Sequence, residues 1–250
     1  MKPVTSADIL KADKRLQVCV LQAFENPEKI IYQGAKCDYS EEPIHERDTE
    51  GIDFGLFIID KLLGNDRGHW GPLEHAAITL SCSGFEHSVM VQARTHRVGV
   101  SFDVQSQRYT SKRVLRCGAG ELEVDDVFYF RPAGLYTDRK GAKYEYKDEH
   151  ILQDMERCFD QCVRYRYRIN HLGYAEEHAR SFLPQNIRQN FVVSFNLRSL
   201  LHFMDLRFKK DAQLEIQTLC EAMAPIAAEW APSVWSYYEN KRLHKAKLAP

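Results

Sequence analysis

Helix-like and strand-like stretches follow one another along this chain without regular strand-helix-strand alternation, and GxGxxG occurs nowhere. A doubly wound, dinucleotide-binding sheet needs both. The frame expected is therefore α+β, a mainly antiparallel sheet with packed helices and no Rossmann fold. No internal repeat, low-complexity tract or linker-like composition divides the 250 residues. They are read as a single domain, 1–250, with 1–15 and 241–250 as peripheral tails.

Taken in order, Leu16–Ala23 reads as a first strand, and Asn26-Pro27 opens a helix through Cys37, proline being suited to a first helical turn. Residues 38–51 are acidic and read as an exposed loop, after which 53–63 carry apolar residues at helical spacing. Ala76–Ser83 is expected as a strand, Glu86–Arg97 as a helix, and Phe128–Arg131 as a short strand stopped by Pro132. A long helix is expected over Glu145–His171, then a strand over Asn190–Phe195 that runs into a helix from Asn196 to Arg207. A closing helix, Ala212–Tyr238, is expected to kink at Pro225.

An apolar share of 44% beside 28% charged residues excludes a disordered chain, and no apolar run is long enough to cross a bilayer. The net charge of −1 creates no global field to recruit nucleic acid or membrane, so any anion site must be local. Seven scattered cysteines without CxxC, and no apolar signal-like opening segment, lead to the expectation of free thiols and a cytoplasmic location. Cys158 and Cys162, four apart on the long helix, read as packing thiols rather than half a metal site.

The densest chemistry lies between Gln92 and Tyr109. There Arg94, His96, Arg97 and Arg108 alternate with Gln92, Thr95, Ser101, Gln105 and Ser106. Planar guanidinium forks among compact neutral donors suit phosphate oxygens. On a helix, Gln92 and His96 share a face while Arg94 turns away, towards a different ligand or a neighbouring subunit. Ser101, Asp103 and His96 lack the GxSxG elbow of a hydrolytic triad. Upstream, His69, Trp70, Glu74 and His75 surround a Gly-Pro turn. The HxxxxEH spacing does not put three ligands on one regular face, so no metal is assigned, and a ring-stacking wall and a structural turn both stay open. Downstream, Arg198, His202 and Asp205 form a polar stripe on an otherwise apolar helix, with Arg207 leaving nearly opposite Arg198. A buried cation there needs a partner, either Asp205 or an anionic ligand. The residues alone define an anion-binding α+β protein. A non-catalytic nucleotide or nucleic-acid binding protein is one alternative, and a metal-dependent nucleotide hydrolase is a weaker one.

The arrangement Arg94-Thr95-His96-Arg97, Ser101, Ser106 and Arg108-Tyr109 resembles the signature of the flavin-dependent thymidylate synthases. His69 with Glu74-His75, Arg180 with Leu183-Pro184, Asn196-Leu197-Arg198-Ser199-Leu200, and Leu206-Arg207 before Ala212-Gln213 extend the resemblance over roughly residues 16 to 225. Thr95 separates Arg94 from His96 where the family pattern has Arg and His adjacent. Asp103-Val104 and Gly71 also depart from it. The resemblance implies a methyltransferase that converts dUMP to dTMP with 5,10-methylenetetrahydrofolate, NADPH and FAD, assembled as a homotetramer with sites built from several subunits. It implies FAD contacts from His69, Arg94, His96, Arg97, Asn196, Arg198 and His202. It assigns dUMP contacts to Gln92, Gln105, Ser106, Arg108, Arg180 and Arg207, with Arg207 also as the catalytic group.

Overall fold

Period-two burial marks two strands of the main sheet. In a computed structural model that describes residues 2–245, Ile78, Leu80 and Cys82 are buried along one strand and Phe191, Val193 and Phe195 along another, with less buried residues between them. The elements in chain order are α1 (Ser6–Ala12), β1 (Gln17–Ala23), α2 (Pro27–Cys37), α3 (Phe54–Phe57), β2 (Ala77–Glu86), α4 (His87–Ala93), β3 (Val100–Val104), α5 (Lys112–Cys117) and α6 (Val124–Val127). They continue with β4 (Gly134–Thr137), β5 (Lys143–Tyr146), α7 (Asp148–Asn170), α8 (Glu176–Ala179), β6 (Arg188–Asn196), α9 (Leu197–Arg207), α10 (Leu214–Trp230) and α11 (Pro232–Lys241). A π-helical turn, Ile58–Leu63, extends α3, and a 3-10 turn, Gly71–His75, precedes β2.

The main sheet has the order β1-β2-β6-β3, and β4 pairs with β5 as an antiparallel hairpin. Gln105 N–H donates to the Asn190 carbonyl and Asn196 N–H to the Gly99 carbonyl, so β3 and β6 run in opposite directions. The chain is thus a mixture of helices with antiparallel sheet.

By Cα proximity the residues divide into two compact units. Unit 1 takes Met1–Gln17, Cys82–Thr95 and Asp103–Phe191, and unit 2 takes Val18–Ser81, His96–Phe102 and Val192–Pro250. Unit 1 has a core of Val114, Cys117, Val127, Phe128, Cys162 and Tyr165. Cys158, Cys162 and Tyr165 lie at helical spacing on the buried face of α7, which gives both thiols a packing role. In unit 2, α9 packs against α10 and the 71–75 turn, burying Leu197, Leu200, Leu201 and Met204.

Several sequence expectations change. The helix expected over Glu86–Arg97 stops at Ala93; Arg94 is its cap at φ −70, ψ −2, and the Thr95 hydroxyl donates to the Gln92 carbonyl at 2.8 Å. A Thr side chain that bonds local backbone competes with further helix, so the projection linking Gln92 to His96 does not apply. In place of the strand over Phe128–Arg131 there is an isolated bridge between Phe128 and Ile187. Glu145 and Tyr146, expected at the start of the long helix, belong to β5 instead, because the Asp138 carboxylate accepts from the N–H groups of Lys140 and Ala142 and turns the chain into a hairpin. The closing helix is two helices. The break falls at Ala231 (φ −132, ψ 70), since a residue preceding proline is disfavoured in helical conformation, while Pro225 lies inside α10. Within the expected N-terminal tail, α1 carries a capping box between Thr5 and Asp8, and Ile9 is fully buried. Of the expected C-terminal tail, 246–250 lie outside the described residues.

Candidate active site

Unit 1 contains a cleft of about 510 Å³. Arg94 reaches its wall from the end of α4, Gln105 and Ser106 from the turn after β3, and Arg180 from the 3-10 turn that follows α8. Two cations, a hydroxyl and an amide on one concave wall suit an anionic polar ligand. Gln105 is held in place: its backbone N–H donates to the Asn190 carbonyl at 2.8 Å, and its Oε1 accepts from Asn190 N–H at 3.3 Å. Ser106 Oγ accepts from Arg108 N–H at 3.3 Å, which shapes the turn. Arg94, expected with the flavin set, lines the same cleft as three residues expected for dUMP. Gln92 and Arg108 are not among the lining residues; Arg108 meets Glu177 at 3.6 Å on an open surface.

Among the lining residues that the sequence reading does not assign to the site are His87 and Gln189. Nothing in the sequence marked them, because an isolated His and an isolated Gln each have many uses. A buried polar residue in a strand becomes conspicuous only once burial is known. Burial, then Arg94 and Arg180, hold the His87 imidazole below its ordinary pKa.

Unit 2 holds a second cluster. Arg207, at the end of α9, donates from Nε to His96 Nε2 at 2.9 Å. His96 is buried, with its ring 4.9 Å from Phe203 and 5.5 Å from His202. Burial, with Arg207 and His202 adding positive charge, depresses its pKa to about 4, so it is a neutral imidazole at pH 7. A neutral ring whose Nε2 accepts from Arg207 carries its proton on Nδ1. His202 Nδ1 is buried and has no hydrogen-bond partner among the described residues.

Asn196 caps α9: its side chain accepts from Ser199 N–H at 2.8 Å, while its backbone N–H donates to the Gly99 carbonyl at 3.1 Å. The pairing of Arg198 with Asp205 is corrected by the structure. Arg198 meets Glu74 at 2.7 Å, and buried Asp205 accepts from Tyr238 and Arg242 instead. That partner explains Glu74, and the His75 ring packs against Gly34, leaving Glu74 and His75 with structural work. Among the described residues no three His, Cys, Asp or Glu side chains converge as metal ligands. His69 is half-buried, with its backbone N–H on the Leu62 carbonyl, and Arg97 is exposed.

Fold and site together describe an α+β protein with a cationic cleft and a neutral histidine held by an arginine. Residues 19–233 match the family described as thymidylate synthase complementing protein. A flavin-dependent thymidylate synthase of Haloarcula marismortui is 35% identical over 94% of this chain and 100% of its own length. Another from Geobacter sulfurreducens is 28% identical, covering 88% and 85%. Among solved structures, a UMP/dUMP methylase from Streptomyces cacaoi, bound with 5-Br dUMP, shares the fold with a TM-score of 0.71 at 21% identity, over 94% and 97% of the two chains. A flavin-dependent thymidylate synthase from Helicobacter pylori, complexed with FAD and dUMP, does so with a TM-score of 0.64 at 18% identity, over 84% and 92%. The chain belongs to the flavin-dependent thymidylate synthases, a family of methyl-transferring enzymes.

Proposed function

We propose that this chain reductively methylates dUMP to dTMP, with FAD as cofactor, 5,10-methylenetetrahydrofolate as carbon donor and NADPH as reductant. Family membership supports the reaction, and the observation that carries it on this chain is the cleft of Arg94, Gln105, Ser106 and Arg180. Ser106 and Arg180 hold the nucleotide phosphate, Arg108 and Gln92 complete the dUMP contacts, and none of the residues lining the cleft is acidic. The unit 2 cluster fits a flavin. His202 Nδ1 is a buried polar atom awaiting a partner, His96 is neutral, and Asn196 and Arg198 stand at the start of the same helix. His69 and Arg97 add further contacts. The flavin is held without a dinucleotide-binding βαβ unit, a reading supported by the missing GxGxxG.

Bound FAD supplies the hydride relay. The protein supplies position and charge: Arg207, oriented by His96, stabilises negative charge that develops on the uracil ring as its C5 becomes nucleophilic. The chain acts as one catalytic domain, since each unit is threaded from three separate segments. It works in the cytoplasm as a homotetramer of 29.0 kDa subunits whose sites combine residues of several copies. Among the described residues no helix is long and apolar enough to cross a membrane.

Absorbance spectra of the purified protein test the reading, recorded with FAD, then anaerobic NADPH, with and without dUMP, beside light scattering for subunit number. Bound flavin that bleaches, followed by dTMP formation once the folate is added, is the expected result. Folded protein that retains no FAD overturns it, in favour of a plain nucleotide binder. Arg207→Ala should lower turnover by about 10²- to 10³-fold. An undiminished rate in that folded variant removes Arg207 from the chemistry. UMP is a useful second substrate, because the Streptomyces cacaoi methylase is described for both UMP and dUMP.

A further inference from the structure

The cleft of unit 1 has polar groups that anion binding does not use. Gln189 is 1% exposed, yet its Nε2 has no hydrogen-bond partner among the described residues. His87, at the start of α4, leaves Nδ1 in the same condition. Both side chains line the cleft with Arg94, Ser106 and Arg180. A buried polar atom without a partner is costly, and two on one wall mark a surface completed by a ligand.

The backbone brings the pair together. His87 N–H donates to the Ile187 carbonyl at 2.9 Å, and Gln189 lies two residues beyond Ile187, another lining residue. In extended chain, side chains two apart leave on the same side. Arg188, between them, is fully engaged elsewhere: it donates to the carbonyls of Gly84 and Asp125 and pairs with Asp13 at 2.6 Å. Gln189 is thereby committed to the cleft.

The two groups have complementary chemistry. An amide Nε2 only donates. The imidazole of His87 is held neutral by its burial and by Arg94 and Arg180, so one of its ring nitrogens accepts. A donor beside an acceptor matches a carbonyl oxygen beside an N–H. We propose that Gln189 and His87 read the base of the nucleotide, Gln189 Nε2 donating to uracil O4 and His87 Nδ1 accepting from the adjacent N3–H. This assignment rests on the dUMP reading of the cleft. Cytosine presents the reverse order, an amino donor beside an unprotonated N3, so it would set donor against donor and lone pair against lone pair. Arg94, Arg180 and Ser106 bind either nucleotide's phosphate alike; the selection between bases falls to His87 and Gln189.

Calorimetric titration of the FAD-saturated protein with dUMP, dCMP and inorganic phosphate tests the assignment. The parent protein should bind dUMP at least about tenfold more tightly than dCMP, as expected where a site built to hydrogen-bond one ligand meets a mismatched one. Gln189→Leu and His87→Phe should each weaken dUMP about tenfold, bring the dUMP to dCMP ratio close to one, and leave inorganic phosphate unchanged. Gln189→Glu, which keeps the shape but replaces the donor with an acceptor, should penalise dUMP more than dCMP. Folded variants that keep the parent ratio overturn the assignment and leave the synthase reading standing. A parent protein that binds phosphate but not dUMP overturns both.

Discussion

At the scale of single residues, His96 has the most consequential environment. Its ordinary pKa of 6.5 falls to about 4 in the folded protein, chiefly through burial and then through Arg207 and His202. Between those values the unfolded chain takes up a proton that the folded chain refuses. This stabilisation is therefore complete above about pH 6.5 and is lost as pH falls towards 4. Urea midpoints should decline across that window, and the gap between the parent and His96→Asn should close as pH drops. A constant gap would mean that His96 is not held neutral. Arg198 behaves differently. Its pair with Glu74 has side chains 38% and 46% exposed, so Arg198→Ala should change stability by less than about 1 kcal/mol. Loss of flavin retention in that variant then reports a ligand contact rather than a damaged fold.

The decisive element is the entry to α9. Gly99 sits at φ +65, and a Cβ there would stand 2.1 Å from Ser199 Oγ and 2.4 Å from Asn196 Nδ2, the residues that start the helix. Ser199 Oγ also donates to the Val98 carbonyl at 2.8 Å. Gly99→Ala should cost more than about 2 kcal/mol, since left-handed backbone alone costs an L-residue roughly 1–2. Asn196→Ala should cost about 1, the usual loss of a helix cap. Equilibrium unfolding in urea orders the two, and equal costs would show that the close approach at Gly99 relaxes freely. Helices α2 and α9 were legible because each has a local signal, Asn-Pro at one and a capping Asn before an apolar stripe at the other. The end of α4 was not, since Thr95 breaks the pattern with one side-chain hydrogen bond. The β4–β5 hairpin was missed for a related reason: its exposed residues show little alternation, and the Asp138 turn determines the pairing.

On the scale of the whole molecule, long-range anchors matter more than local preference. Arg188 is 4% exposed and draws Asp13, Gly84 and Asp125 together within unit 1. Arg188→Leu leaves Asp13 without its cation and should destabilise by about 3–5 kcal/mol. Deleting residues 2–15 removes Asp13 together with Ile9, and truncating a buried Ile alone costs about 2–5 kcal/mol. An unchanged denaturation midpoint after that deletion would restore the tail reading. By itself the sequence determined the α+β class, the starts of α2, α3, α4 and α9 and, through spaced motifs, the family. Each of these is written in local spacing or in side-chain type. Only the tertiary structure decided that Arg198 pairs with Glu74, that Arg207 rests on a neutral His96, and that His87 and Gln189 share a wall with Arg94 and Arg180. Such pairings depend on burial and on distances between residues far apart in the chain. Neither is encoded at any single position.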